Sequence, residues 1–176
     1  MTPEFSRPLR LDQIGAGEAS SRVEANTAER QALARRFALL SLDQLEADFA
    51  VRRDAAGIIA SGRFKAQVVQ ACVATGKAVP ATLDQAFTVR FLPEPGDDAA
   101  EEVELDADDC DTIFFTGSAI DLGEAAAQTM ALALDPFPRA RGADAVLREA
   151  GVLSESEAGP LSGLAAALKD KLAKRE

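Results

Sequence analysis

Residues 45–70 read LEADFAVRRDAAGIIASGRFKAQVVQ, and this stretch decides the fold. From 45 to 51 every second residue is apolar, and the residues between them are mostly charged. The alternation resumes from Phe64 to Val68, after a turn predicted at 53–57. A period of two places the apolar side chains on one face of a strand, so the two segments predict an antiparallel hairpin with one buried face.

Other segments repeat this alternation. Residues 85–92 form a third predicted strand, with Phe87, Val89 and Phe91 on its apolar side. A short strand is predicted at 4–11, where Pro8 would confine it to a sheet edge. Residues 103–115 are predicted to return to the sheet. Such a sheet has one apolar face and needs a covering layer.

The first predicted helix supplies part of that layer. Thr27 is a residue typical of a helix N-cap, and AERQALARRFALL follows it at 28–40. Leu33, Phe37 and Leu40 would share one face of this helix. Its surface is the most basic in the sequence.

The second predicted helix begins at Asp121 and covers LGEAAAQTMALAL. Glu124 stands three residues after the cap and predicts a capping box. The helix ends before Pro136, because the residue preceding a proline is disfavoured in the helical conformation. The face predicted to pack on the sheet consists of Leu122, Ala126, Met130 and Ala133.

Together these elements predict an α+β fold. The expected architecture is an antiparallel sheet or partly closed barrel of about four to six strands, covered by two main helices, with an additional C-terminal helix. Residues 1–142 would form the core domain with an acidic loop at 94–111, and 143–159 a linker or frayed helix. Residues 160–176 would form an amphipathic helix with a leucine stripe, packed either on its own domain or in a partner's groove.

Charge is distributed unevenly. The net charge is -10, and the segment from Glu94 to Asp111 contains ten acids and no base, so it accounts for the whole imbalance. An acidic protein is repelled by phosphate, so any contact with RNA would be local. The bases that could make this contact, or could contact a protein partner instead, are Arg30, Arg35 and Arg36 on the first helix and Arg63, Lys65 and Arg90 on strands.

Composition excludes several classes of protein. With no histidine, mechanisms built on a Ser-His or Cys-His pair are removed. Two cysteines cannot form a disulfide scaffold, and without histidine they cannot complete a structural zinc site. The start of the chain lacks signal-peptide features and no stretch is apolar enough to cross a bilayer, so a cytoplasmic protein without membrane contact is expected. No cofactor is expected.

The acidic segment has a second interpretation. Asp106, Asp108, Asp109 and Asp111 offer hard oxygen ligands that could gather a divalent cation. The calcium-loop pattern fails, however, since Cys110 stands where a third acid is required. The simpler interpretation is a solvated acidic loop.

Several stretches resemble the YceD family: EFSRPLRLDQI at 4–14, VEANTAERQALARRFALLSLDQLEADFAVRR at 23–53, GRFKAQVVQACVATGKAVPATLDQAFTVRFLP at 62–93 and IDLGEAAAQTMALALDPFPRARGAD at 120–144. The closing Pro160, Leu161, Leu164 and Leu168 are similar to the family's C-terminal proline-led leucine stretch. The resemblance implies a role in the synthesis, processing or stability of large-subunit ribosomal RNA, and no catalytic residue.

The resemblance also implies a cysteine pattern that this chain lacks. In many relatives a second cysteine would follow Cys72 by three residues, and a further group would follow the second helix. This sequence has Thr75 and 136–139 (PFPR) at those places, which argues against a metal-bound or redox role.

The hypothesis that combines these observations is a non-enzymatic factor that supports 23S rRNA during assembly of the large ribosomal subunit. Its partner would be a ribosomal protein or the pre-ribosomal large subunit, not DNA, and it would use the acids Asp97, Asp98, Glu101 and Glu102. The alternatives are a direct rRNA-binding module and a metal-dependent ribonuclease.

Overall fold

The computed structural model describes residues 3–15, 17–55, 57–94 and 111–152. They form an α+β fold, as predicted, with a five-stranded sheet of order β2-β3-β4-β5-β6 and a two-stranded sheet of β1 and β7. The strands are β1 (Pro8–Arg10), β2 (Ala19–Glu24), β3 (Ser41–Asp54), β4 (Gly57–Ala71), β5 (Ala78–Pro93), β6 (Asp111–Phe115) and β7 (Ala119–Asp121). The helices are α1 (Thr27–Arg36), α2 (Leu122–Leu132) and α3 (Ala143–Glu149), with a 3-10 turn at Leu11–Gln13. Among the described strands the larger sheet stays open, with β2 and β6 at its edges, so the alternative of a partly closed barrel is wrong.

The predicted hairpin is confirmed. β3 and β4 pair antiparallel from Ser41↔Val69 to Asp54↔Gly57, and β5 continues the meander along the other side of β4. β5 begins at Ala78, seven residues before the predicted strand, because small residues and Pro80 hide its alternation. Pro80 is tolerated because, within the described ranges, the side of β5 that faces away from β4 has no partner strand before Val89.

The far end of the acidic segment does return to the sheet. β6 pairs parallel to β5, from Val89↔Asp111 to Pro93↔Phe115. Residues 103–110 of the predicted strand lie outside the described residues. The predicted N-terminal strand shortens to β1, which pairs with β7 instead of the larger sheet.

α1 differs from its prediction at both ends. Its N-cap is Asn26, not Thr27, and Asn26 forms a capping box with Glu29. The helix ends at Arg36, since Ala38 adopts a positive φ of 53°. Leu40 therefore lies beyond the helix and is 55% exposed, so its predicted place on the packed face is wrong.

α2 begins as predicted but is capped differently. The Asp121 carboxylate accepts from the backbone N–H groups of Gly123 and Glu124. The Glu124 carboxylate accepts instead from the Arg36 guanidinium on α1 and from Gln128, so the predicted capping box is not formed.

The core lies between the inner face of the larger sheet and α2. Leu45, Phe64 and Phe91 on the sheet are almost completely buried, as are Leu122 and Met130 on the helix. No polar or charged residue is buried within the part of the chain that the structure describes. The prediction that the α2 face packs on the sheet is confirmed.

Gly62 marks a close approach between neighbouring strands. A Cβ at this position would lie 1.8 Å from the backbone oxygen of Asp48, so no other residue fits. The Phe87 ring lies in an edge contact with the Phe49 ring, 5.0 Å between centroids, and Phe87 pairs with Gly62 across the strands.

The first part of the predicted linker or frayed helix contains a short helix, α3, at Ala143–Glu149. Residues 153–159 and the predicted C-terminal helix at 160–176 lie outside the described residues. None of the helices within the described ranges is both long and apolar enough to cross a bilayer.

Candidate partner-binding surfaces

The basic residues of α1 separate into two groups. Arg30 and Arg35 line a groove of about 440 Å³ between α1 and the start of β3, together with Thr27, Gln31 and Ser41. Arg36 is not among the lining residues. The predicted cluster of three arginines is therefore a pair in a groove and one residue beside it.

Arg30 is held in place without a carboxylate. Its Nη1 donates to the backbone oxygen of Ala25 at 2.6 Å, and its Nη2 donates to Thr27 Oγ1 at 3.2 Å. Within the described ranges neither Arg30 nor Arg35 has a salt bridge, while Asp43 is the one acid among the groove residues. The groove therefore offers two guanidinium groups whose charge is not neutralised by direct pairing.

Arg36 is fully engaged inside the protein. It donates to Glu124 at 2.7 and 2.9 Å and to Glu4 at 2.9 Å, and its guanidinium lies 5.1 Å from the centre of the Phe37 ring. The hydrogen bonds from Arg36 lower the pKa of Glu124 below its ordinary value. A partner that uses Arg36 must compete with two carboxylates.

The strand-borne bases lie on the outer face of the larger sheet. Arg63 forms an ion pair with Asp84, and Arg90 lies 3.9 Å from Asp54. Lys65 stands opposite Glu46 on β3 and Asp84 on β5. Each base thus has an acid beside it, so this face has balanced charge and not the continuous basic field typical of a nucleic-acid surface.

The same balance holds at the β2 edge of this face. Arg22 lies 2.9 Å from Glu46 and 3.6 Å from Asp48. These pairs are partly exposed and stabilise the fold only weakly. They nevertheless neutralise the bases that a phosphate backbone would need.

The acidic segment is anchored at both ends on one sheet edge. Asp111 pairs with Val89 at the start of β6, and the backbone N–H of Glu94 donates to the oxygen of Phe115 at 3.0 Å. Beside this anchor Phe114 is 56% exposed. The predicted partner acids Asp97, Asp98, Glu101 and Glu102 lie outside the described residues.

The region in which the resemblance implies extra cysteines is assembled around Cys72. The backbone N–H of Val73 donates to the oxygen of Pro138 at 2.9 Å, which joins the β4–β5 turn to the segment after α2. Hydrogen bonds from the backbone of Ala140 and the side chain of Thr75 lower the pKa of the buried Cys72 thiol to about 7.

These residues do not fit a metal ion. Thr75 and the segment 136–139 contribute no thiolate, imidazole or carboxylate beside Cys72. Within the described ranges no three His, Cys, Asp or Glu residues lie close enough to share a metal. Asp106, Asp108, Asp109 and Cys110, which carried the alternative metal interpretation, lie outside those ranges.

The sequence did not reveal the contacts that join the N-terminal segment to the helices. Arg7 donates to both carboxylate oxygens of Glu29, at 2.8 and 2.9 Å, and Ser6 donates to Asp121. These partners lie far apart in the sequence, so no local pattern signals them. Their effect is to fix α1 and α2 against the first strand.

The comparisons identify the family. The family described as large ribosomal RNA subunit accumulation protein YceD matches residues 60–166, which is more than half of the chain. This chain belongs to the YceD family. The description of the family assigns its members a role in the accumulation of large-subunit ribosomal RNA. No curated protein and no solved structure matches the chain.

Proposed function

We propose that this protein supports the accumulation of 23S rRNA without catalysis, through contact with a ribosomal protein or with the pre-ribosomal large subunit. The observation that carries the proposal is the segment from Glu94 to Asp111, whose ten acids equal the net charge of -10. Proteins that bind rRNA present lysine and arginine to its phosphates. An acidic segment attracts such a surface and speeds the encounter.

The anchored ends of the segment support this role. Its two described ends, Glu94 and Asp111, are both held on the β5–β6 edge. The exposed Phe114 on β6 offers an apolar contact at the same edge. A basic partner would thus meet charge and an apolar anchor together, which is the usual composition of a protein interface.

A matched charge change tests the proposal. The variant Asp97→Asn, Asp98→Asn, Glu101→Gln and Glu102→Gln removes four acids from the segment. The control variant Asp12→Asn, Glu18→Gln, Glu24→Gln and Glu149→Gln removes four exposed acids elsewhere. Binding to individually purified large-subunit ribosomal proteins is measured for both, together with the level of 23S rRNA in cells.

We expect the segment variant to bind its partner on the order of tenfold more weakly and to lower the cellular level of 23S rRNA. The control variant should keep partner binding and the 23S rRNA level close to those of the wild type. In gradients of cell lysate, the wild-type protein is expected with large-subunit precursors and not with mature ribosomes. If the segment variant retains both partner binding and 23S rRNA, the proposal is wrong.

A direct rRNA contact is the second candidate function, and the groove beside α1 favours it. Arg30 and Arg35 line that groove without a carboxylate partner in the described ranges. Replacing both with glutamine should weaken binding to single-stranded rRNA fragments and reduce the salt slope by roughly 1.4, since each phosphate contact contributes about 0.7. The control is Arg10→Gln with Arg139→Gln, because those two bases are already paired with Asp12 and Asp144.

The ribonuclease alternative depends on Asp106, Asp108, Asp109 and Asp111, of which the structure describes Asp111 alone. Incubating the purified protein and precursor rRNA with magnesium or manganese tests it. Intact precursor would exclude this alternative, and cleavage that is lost on replacing these acids would overturn the proposal of a non-enzymatic factor.

A further inference from the structure

Large apolar side chains are exposed at the end of α2, on the turn that follows it, on the β4–β5 turn and on α3. Leu132 at the end of α2 is 74% exposed and Phe137 in the following turn is 71% exposed. Val73 in the β4–β5 turn is 56% exposed and Val146 on α3 is 43% exposed. We call these four residues the apolar end. Isolated exposed apolar residues are ordinary, but several on adjoining segments mark an interaction surface.

Hydrogen bonds hold the segments of the apolar end together. Besides the bond from Val73 to Pro138, Gln70 Nε2 on β4 donates to the backbone oxygen of Asp135 at 2.8 Å. Phe137 is fixed by the bond from its backbone N–H to Asp135 Oδ1 at 2.9 Å. The exposed side chains therefore stand on a constrained backbone.

The chain runs directly from this surface toward its C-terminus. α3 starts at Ala143, which is 2% exposed, and Arg139 is paired with Asp144 at 3.1 Å. The last described residue, Val152, follows three residues after the end of α3. The backbone N–H of Val152 donates to the oxygen of Leu147 at 2.9 Å, so the described chain ends against α3, the helix that carries Val146 of the apolar end.

The geometry points to residues 160–176 of the same chain as the segment that covers the apolar end; we propose this independently of the rRNA role. Leu161, Leu164, Leu168 and Leu172 recur at the spacing of one helical face. A helix of this length is marginal alone in water and is stabilised by packing its apolar face. The apolar end provides that packing surface.

Charge and chain length favour the chain's own segment over a second copy. Residues 160–176 carry four bases and two acids, while the whole chain has a net charge of -10. The connector 153–159 can span roughly 25 Å, and a short tether gives an effective concentration on the order of millimolar. Two separate copies repel each other through their net charge.

Hydrogen exchange on the full-length protein tests the proposal. We expect the amides of 161–172 to exchange at least about tenfold more slowly than those of an unstructured chain. The variant Leu132→Gln with Phe137→Gln should remove that protection. The control is Phe114→Gln, a phenylalanine that is 56% exposed on β6, which pairs with the end of β5 that lies away from the β4–β5 turn. The control should keep the protection.

A reciprocal variant keeps the test valid if the first one disturbs folding. Leu164→Gln with Leu168→Gln should accelerate exchange at 73–76 and 137–140 while leaving the central strands β3 and β4 unchanged. Unstructured exchange rates at 161–172 in the wild-type protein would overturn the proposal. So would protection that survives both variants, or protection that grows with protein concentration, which would assign the apolar end to a second copy.

Discussion

Arg36 on α1 and Glu124 on α2 form a two-point contact, with Nη2 at 2.7 Å from Oε1 and Nη1 at 2.9 Å from Oε2. The two side chains are only 28% and 18% exposed. Glu4 accepts from the same guanidinium, so one arginine joins the N-terminal segment to both helices that cover the sheet. Paired planar contacts of this kind are stronger than single ion pairs at a surface.

Replacing Arg36 with alanine should lower the free energy of unfolding by about 2 kcal/mol, because the partly buried Glu124 loses its charged donor. Chemical denaturation followed by circular dichroism measures the change. The control is Arg10→Ala, whose pair with Asp12 is well exposed and should matter little. Equal losses in the two variants would contradict this prediction.

The same contact predicts a dependence of stability on pH. The pKa of Glu124 is lowered in the folded protein from 4.5, so its contribution is complete above that value and is lost as the pH falls through the folded pKa. Denaturation of wild type and Glu124→Gln across acidic pH tests this. The difference between them should be largest near neutral pH and should shrink below about pH 4.5. A difference that is constant with pH would contradict the prediction.

Asn26 should contribute to the stability of α1, and Thr27 should not. The Asn26 side chain accepts from Glu29 N at 3.0 Å, and Glu29 Oε2 accepts from Asn26 N at 2.7 Å. Asn26→Ala should therefore lower the free energy of unfolding by about 1 kcal/mol. Thr27→Ala is the matched control and should lower the free energy of unfolding much less than Asn26→Ala does. A larger effect at Thr27 would restore the N-cap that the sequence suggests.

These two residues show where sequence reasoning stops. Asn and Thr are both good N-caps, so composition alone places the helix start only to within one residue. The hairpin of β3 and β4 was predictable, since a strict period of two fixes which face is buried. The partner of Glu124 was not, because a local capping pattern cannot reveal an arginine 88 residues away. The α1 groove could not be predicted either, because its lining depends on where β3 begins after the turn at Ala38.

Gly62→Ala should destabilise the sheet strongly. The added Cβ would lie 1.8 Å from Asp48 O, and that atom belongs to a paired strand that cannot move alone. We expect a loss of roughly 3 kcal/mol in the free energy of unfolding. Gly17→Ala is the control, since a Cβ there meets no atom within 4 Å. A stable Gly62→Ala protein would mean that β3 and β4 separate more easily than their register indicates.

Cys72 should titrate near neutral pH although its side chain is buried. Hydrogen bonds from Ala140 N, and then from the Thr75 hydroxyl, stabilise the thiolate and lower the pKa from 9.0 to about 7. A thiol whose pKa is lowered on folding stabilises the protein above its unfolded pKa, and this contribution is lost as the pH falls through about 7.

The ultraviolet absorbance of the Cys72 thiolate, measured in a Cys110→Ser background, should give a titration midpoint near pH 7. The chain contains no Tyr or Trp, so no other side chain obscures this absorbance. Thr75→Val should raise the midpoint, because one donor to the sulfur is lost while the hydrogen bond from Ala140 remains. Thr82→Val, an exposed position on β5, should leave it unchanged. A wild-type midpoint near 9 would show that the turn joining β4 to the segment after α2 does not hold these donors against the sulfur.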